Sequence, residues 1–495
     1  MTSATGRYGG AVPAQTEDGR TSGSGTADAA PAPHVPAGLD GLRFGVATSA
    51  YQIEGDTTTD GRGPSIWDTF AARPGTIADG SDGAVACGSY RRWPDDLALL
   101  RELGVGVYRF SVAWPRIQPD GAGPANPAGL GYYDRMVDDL LAAGIEPMVT
   151  LYHWDLPQAL EDAGGWPVRG TADRFADYAS LVAARLADRV QLWATLNEPW
   201  CSAFEGYASG RQAPGRREPD AAYAAAHHLL LGHAAAASAL RAARPAAEVG
   251  IVLNLVPVQA YDEAGVPVAR MVDAIHNRLW LDALTRGDYP EELSDWLADP
   301  GLVRHGDLEA IAGSAHWLGV NYYTPYRVSG PGRVAATADT DDDVDDDLSA
   351  YPGAPAGAFH RLAPRSTMRW EIDAAGLERL LARLRVLAPG LPVRITENGI
   401  ACPDTTRTAD GTIDDADRIV YLHDHLAALG RARAAGSDVR DYLVWTLMDN
   451  FEWAHGYRQR FGLAEIVPDT LARRPKQSFR WYAALLAAQG ARHTS

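Results

Sequence analysis

From residue 42 onward the chain alternates two patterns: short runs of apolar, β-branched and aromatic residues, and longer stretches whose apolar residues recur at helical spacing. The short runs, at 42–48, 106–111, 146–152, 190–196, 249–254, 317–322, 391–396 and 442–447, predict eight buried strands. Helical periodicity fills the intervals and is clearest over 94–103, 132–143, 172–188, 222–241 and 416–435. Strand and helix in alternation, with polar side chains gathered just past the strands, predict an α/β fold of the (β/α)8 TIM barrel kind. It would be a single domain with long βα loops over 39–490. Residues 1–38 are Gly, Ser, Thr, Ala and Pro with few large apolar side chains. They bury too little to offset the entropy of ordering, so a disordered N-terminal tail is expected.

Such barrels carry their chemistry where the strands end, and two glutamates are placed there. Thr195-Leu196-Asn197-Glu198-Pro199 closes the fourth run and Ile395-Thr396-Glu397-Asn398-Gly399 the seventh. One glutamate after a strand is ordinarily a surface cap or a salt-bridge partner. Two, each beside an Asn, supply what cleavage of a glycosidic bond requires: one carboxyl protonates the leaving oxygen, the other acts at the sugar carbon.

Composition narrows the field. With 495 residues, 46% of them hydrophobic, and 14 Trp, the chain has ample core and ample aromatic surface for stacking on pyranose rings. A formal net charge of −18 argues against nucleic acid or an anionic membrane as partner, since phosphate would be repelled. Cys87, Cys201 and Cys402 are odd in number, scattered and without metal-ligand spacing, which reads as reduced thiols in a cytoplasmic protein. No basic segment leads into an apolar stretch at the N-terminus, and no apolar run is long enough to span a bilayer. Lysine occurs only at Lys476, and arginine greatly outnumbers it. The longest loop, about 325–366, holds Asp339, Asp341, Asp342, Asp343, Asp345, Asp346 and Asp347. Its start mimics a calcium loop, but Val344 takes the glycine position and Ala350 the bidentate glutamate position, so a solvated insertion is favoured.

The two glutamate strings resemble the acid/base and nucleophile signatures of glycoside hydrolase family 1, the β-glucosidase family. The likeness runs from Phe44-Gly45-Val46-Ala47-Thr48-Ser49-Ala50-Tyr51-Gln52 to Phe461-Gly462-Leu463 and Ser478-Phe479-Arg480-Trp481-Tyr482. Between them lie Tyr108-Arg109-Phe110-Ser111, Tyr152-His153-Trp154-Asp155, Asn321-Tyr322-Tyr323 and the segment from Trp445 to Trp453. The resemblance implies a retaining β-glycosidase that releases terminal glucose from small β-glucosides or cellobiose-like disaccharides. Glu397 would be the nucleophile, held ionised by Arg109 and Tyr323, and Glu198 the acid and then the base. Gln52, His153, Asn197, Glu452 and Trp453 would hold the terminal sugar, with Trp445 as the floor beneath it. Trp370 would be a platform on the aglycone side, and Asn254 and Asn321 weaker supports. Taken singly, His153, Trp445 and Trp453 read as core residues, and Arg109 as an ion pair bracing strand ends. No metal or organic cofactor is implied.

A transglycosidase would use the same residues, and a non-catalytic sugar-binding protein would be marked by loss of a glutamate. Glu198 argues against a thioglucosidase, and a homo-oligomer stays open. Two departures from the family pattern stand out. Arg369 occupies a place usually held by glycine, and Ala86-Cys87-Gly88-Ser89-Tyr90-Arg91-Arg92-Trp93 replaces a stretch in which the family commonly has Asp-His at 88–89.

Overall fold

The computed structural model describes residues 31–332 and 348–493. Eight parallel strands close into a barrel: β1 (Arg43–Ala47), β2 (Val107–Ser111), β3 (Glu146–Tyr152), β4 (Leu192–Asn197), β5 (Glu248–Asn254), β6 (Trp317–Asn321), β7 (Val393–Asn398) and β8 (Val439–Trp445). Each pairs with its chain neighbour, and β8 returns to β1 through Arg43↔Asp441 to Ala47↔Trp445. Every expected strand is present, displaced by at most three residues. The displacement matters at β4 and β7, which run on through the polar motifs. Asn197 is the last residue of β4, and Glu397 lies inside β7 rather than after it.

Helix starts differ more, because caps rather than apolar periodicity set them. The helix expected from residue 132 begins at Pro127, where Asn126 caps the Ala128 N–H at 3.2 Å and proline fits the first turn. The helix expected from 222 begins at Pro219, where proline again fits the first turn but no side chain caps it. Two short sheets (Val258–Ala260, Tyr326–Ser329 and Ala358–His360; Ala464–Val467 and Ala472–Pro475) decorate the loops and were not foreseen.

Side-chain alternation divides the barrel into layers. Along β2, Tyr108 and Phe110 join the large core shared with the surrounding helices, while Val107 joins a separate interior cluster with Met148, Leu192, Val252, Trp317 and Leu443. Above that apolar layer, toward the strand C-termini, lies a polar one containing Arg109, Thr150, Asn197 and Asn321. Below it lies a ring of charge: Arg394 bonds Asp441 and, at 2.6 Å, Glu248, and its guanidinium lies 5.3 Å from the Trp317 ring centre. Arg43 reaches the same Asp441 at 2.7 Å and also Glu146. The ring thus ties β1, β3, β5, β7 and β8 together near the N-terminal ends of the strands.

Residues 1–30 of the expected tail, and Asp339–Asp347, lie outside the described residues. Residues 31–38, expected to belong to that tail, instead lie against the barrel. The Pro31 carbonyl accepts from Trp481 Nε1 at 2.8 Å, Val35 is buried, and the Gly38 carbonyl accepts from Arg433 at 2.6 Å. The contact is close enough that a Cβ on Gly430 would lie 2.1 Å from the Ala37 carbonyl oxygen.

The charged ring yields the first prediction. Arg394→Met leaves the wholly buried Asp441 with Arg43 alone and should cost about 3–5 kcal/mol, read from the urea midpoint at unchanged slope. Arg394→Met/Asp441→Leu, which removes the stranded charge as well, should recover much of that loss. A double variant no more stable than the single one would show that the pair does not act as a unit.

Candidate active site

Arg109 is the centre of the polar layer. It is 0% exposed and directs its guanidinium to four acceptors: Nε to Thr150 Oγ1 (3.0 Å), Nη1 to Glu397 Oε1 (2.6 Å) and the Thr396 carbonyl (3.4 Å), and Nη2 to Asn197 Oδ1 (2.6 Å). Strands β2, β3, β4 and β7 are thereby joined through one side chain. Tyr323, just past β6, donates its hydroxyl to the other Glu397 oxygen at 2.7 Å. Burial and the Glu397 and Glu198 charges push that phenol well above its ordinary range, so it remains a donor.

Glu198 follows β4 with φ at +44°, a left-handed conformation that is costly for a side chain other than glycine. Its Oε1 accepts from Asn321 Nδ2 at 2.7 Å, and Oε2 faces the Cys201 thiol at 3.3 Å. The same Asn321 amide bonds Asn197 Oδ1 at 3.1 Å and also helps hold charge on Glu397. Asn321 was read only as a weak support; it bonds Glu198 directly, while its own Oδ1 accepts from Thr396 Oγ1 at 2.7 Å, one residue before Glu397.

Burial, and then the charge of Glu397, push Glu198 up to about 8. Burial raises Glu397 as well, but there Arg109, Tyr323 and Asn321 all oppose the rise by favouring the charged form. One proton on the pair therefore belongs to Glu198.

The remaining expected residues gather around these two. Because Asn197 Oδ1 is taken by Arg109 and Asn321, its Nδ2 is directed to His153 Nε2, 3.0 Å away. Burial, together with Arg109, keeps His153 well below its ordinary value, so it is neutral, with its proton on Nδ1. Nδ1 meets no protein acceptor. Trp445 stacks on His153 with ring centres 5.9 Å apart and planes 18° apart. Trp453, itself at φ +46°, packs against Trp67 and Trp154 with ring centres 4.4 and 4.5 Å away. Glu452 is held in a tight turn by its N–H on the Gly456 carbonyl at 2.7 Å and its carbonyl on the His455 N–H at 2.8 Å. Gln52 is fully buried, bonded to Asn450, to the Phe451 carbonyl and, at 3.5 Å, to Glu452. It reaches the cleft through Glu452. On the opposite side Trp370 lies 5.2 Å from the Tyr323 ring and 6.1 Å from that of Phe461.

His153, Asn197, Glu198, Tyr323, Trp370, Glu397, Trp445, Glu452 and Trp453 all line one cleft, which encloses about 1080 Å³ including its open mouth. The structure adds residues to which sequence reasoning assigned no role. Thr150 anchors Arg109, Trp154 donates its indole to the Asn197 carbonyl at 2.9 Å, and Cys201 contacts Glu198. Trp154 and Cys201 each lie within three residues of a recognised position, and that adjacency was the available signal. Asn254 contacts Cys201 rather than either glutamate. Arg369 has φ +57°, which explains why glycine suits that place. The atypical loop at 86–93 is ordered: Ala86 and Gly88 take positive φ, and Cys87 Sγ lies 3.2 Å from the Asp449 carbonyl. Among the described residues no group of three or more His, Cys, Asp or Glu is gathered to hold a metal, and no helix is long and apolar enough to cross a membrane.

The chain matches Glycosyl hydrolase family 1 over residues 39–491. It is 46% identical to thermostable β-glucosidase B of Thermobispora bispora, over 92% of this chain and 91% of that one. It is 45% identical to a bifunctional β-D-glucosidase/β-D-fucosidase of Bifidobacterium breve, over 91% and 98%. Among solved structures, the psychrophilic β-glucosidase of Micrococcus antarcticus superposes with a TM-score of 0.86 at 44% identity, covering 91% of this chain and 97% of that one. A Thermotoga maritima β-glucosidase in complex with deoxynojirimycin gives 0.83 at 37% identity, covering 92% and 99%. With the fold, the paired glutamates and the sequence match in agreement, this chain belongs to glycosyl hydrolase family 1.

Proposed function

We propose that this protein is a retaining β-glucosidase that removes terminal nonreducing glucose from small β-glucosides and cellobiose-like disaccharides by double displacement. The observation that carries the reading is the unequal treatment of two carboxyls that line one cleft. Glu397 is held as an anion by Arg109 and Tyr323, and Glu198 is left with the proton.

In the first step a Glu397 oxygen bonds to the anomeric carbon as the glycosidic C–O bond breaks. The bonding electrons pass to the aglycone oxygen, which takes the Glu198 proton. Esterified Glu397 no longer repels a neighbouring charge, so Glu198 is then stable as a carboxylate and takes a proton from water. That water attacks the anomeric carbon, the ester bond breaks, and its electrons return to Glu397. Asn197, Glu452 and the unpartnered His153 Nδ1–H are placed to meet sugar hydroxyls, Trp445 lies beneath the ring, and Trp370 meets the aglycone. The three cysteines are free and buried, which supports a reducing, cytoplasmic setting.

Three outcomes are expected. A 2-deoxy-2-fluoro glucoside should leave its sugar on Glu397. Glu198→Ala should lose about 10²–10⁴ in rate with alkyl glucosides while still forming the ester from acidic phenols, and azide should restore turnover as the β-glucosyl azide. Equal losses for good and poor leaving groups would remove Glu198 from the acid role.

In wild-type enzyme, kcat/KM for an alkyl glucoside should fall as pH rises through about 8, because the acid must be protonated to act. Glu198→Gln should abolish that limb. A limb that persists in this variant would assign the ionisation to another group.

Glu452 sets sugar choice, since a carboxylate in the cleft repels a phosphate dianion. Unphosphorylated p-nitrophenyl β-glucoside should be strongly preferred to its 6-phosphate, with some β-galactoside and β-fucoside activity. Glu452→Ser should narrow the gap, and comparable kcat/KM for the two substrates in wild type would refute the assignment.

A further inference from the structure

The two oxygens of Glu198 have partners of different chemistry. Oε1 accepts from an amide, Asn321 Nδ2, at 2.7 Å, whereas Oε2 faces a thiol, Cys201 Sγ, at 3.3 Å. Cys201 is tied to its place. It opens the helical segment Cys201–Ser209, and its N–H donates to the Glu198 carbonyl at 2.9 Å, so one tight turn fixes thiol against carboxyl. From the far side Asn254, the last residue of β5, donates its amide to the sulfur at 3.5 Å. That contact occupies a sulfur lone pair and leaves the S–H free to point at Oε2. Burial pushes the thiol well above its ordinary range, and the Glu198 and Glu205 charges add to the effect, so the sulfur stays protonated.

We propose that Cys201 is a positioning residue for the acid/base, its S–H donating to Glu198 Oε2 whenever that carboxyl is ionised. It thereby sets the balance between the acid used in the first step and the base used in the second. The inference rests on the acid/base role proposed for Glu198. A donor aimed at a carboxylate favours the charged form, and a thiol is a weak donor. A full-strength donor on each oxygen would hold Glu198 as a permanent anion and leave no acid. A purely apolar neighbour would hold the proton too firmly for the base step. The thiol lies between these extremes. The other charged and titratable groups facing this pair are Arg109 from β2, Glu397 from β7 with its partner Tyr323, and Glu205 on the same helical segment, which Arg211 holds at 2.6 and 2.8 Å. Substituting Cys201 leaves all of them in place.

The test uses two limbs of the pH profile that Glu198 governs in opposite roles. One is the alkaline limb of kcat/KM for an alkyl glucoside, where Glu198 must be an acid. The other is the acid limb of kcat for 2,4-dinitrophenyl β-glucoside, whose phenol leaves unaided, so that turnover waits on Glu198 as base. Cys201→Val, close in size but without a donor, should move both limbs upward together by about half a pH unit. Cys201→Ser, which keeps a donor, should leave both closer to wild type than Val does. Should Cys201→Val fold poorly, Cys201→Ala carries the same expectation. Limbs that stay put in a folded Cys201→Val or Cys201→Ala variant, or that move in opposite directions, would overturn the inference. Glu198→Gln separates the two layers of the argument. If it removes the alkaline limb while Cys201→Val does not shift it, only the role of Cys201 fails; if the limb survives in Glu198→Gln, the acid/base assignment falls and this inference with it.

Discussion

A cation sealed inside the barrel dictates the rest of the site. Arg109 has no access to water, so each of its hydrogen-bonding directions must end on an acceptor, and one of those acceptors must carry the compensating charge. Glu397 is therefore an anion before any sugar arrives. Its charge, added to the cost of burial, keeps the proton on Glu198. Arg109 also turns the Asn197 amide, because that oxygen must face the guanidinium and its nitrogen must then face His153. The imidazole is left neutral, with its remaining N–H uncommitted. Glu397, Glu198 and His153 thus take their states from one buried guanidinium.

That arrangement needs a rigid frame, and the barrel supplies one by separating tasks along its axis. The charged ring around Arg394 and Asp441 clamps one end, the interior apolar layer fills the waist, and the polar layer occupies the other end. Backbone strain is found at the polar end. Trp154, Glu198 and Trp453 all adopt positive φ, and all three line the cleft. Conformations of this cost persist where packing on every side leaves no alternative, and the neighbouring rings of Trp67, Trp154 and Trp453 provide such packing.

Much of this could be read along the chain, for identifiable reasons. Strands buried on both faces betray themselves as uninterrupted apolar runs, so all eight were visible, and the two motif glutamates followed from their position after such runs. Helix starts were less visible, because Asn126 with Pro127 lies outside the apolar periodicity. The support around the glutamates was harder still. Thr150 looks like any strand threonine, and its task exists only because Arg109 reaches across from the neighbouring strand. Asn321 was undervalued for the same reason: its bonds to Asn197, Glu198 and Thr396, far away in sequence, are recognisable only when the barrel closes. The strap at 31–38 was misread because its composition is that of a tail, whereas its order comes from contacts with Trp481 and Arg433 near the other end of the chain.

Lys476 has a consequence of a different kind. It is the chain's one lysine, its side chain is 1% exposed, and its ammonium is locked between Asp404 at 2.5 Å and Asp449 at 2.7 Å. The basic surface is therefore guanidinium throughout, and no primary amine on a side chain reaches solvent among the described residues. Succinimidyl esters, aldehydes and other acylating or imine-forming reagents would find no lysine to attack while the fold persists. Chemical tethering through amines would be confined to the backbone terminus. Reaction at Lys476 would instead report that its contacts with Asp404 and Asp449 had opened.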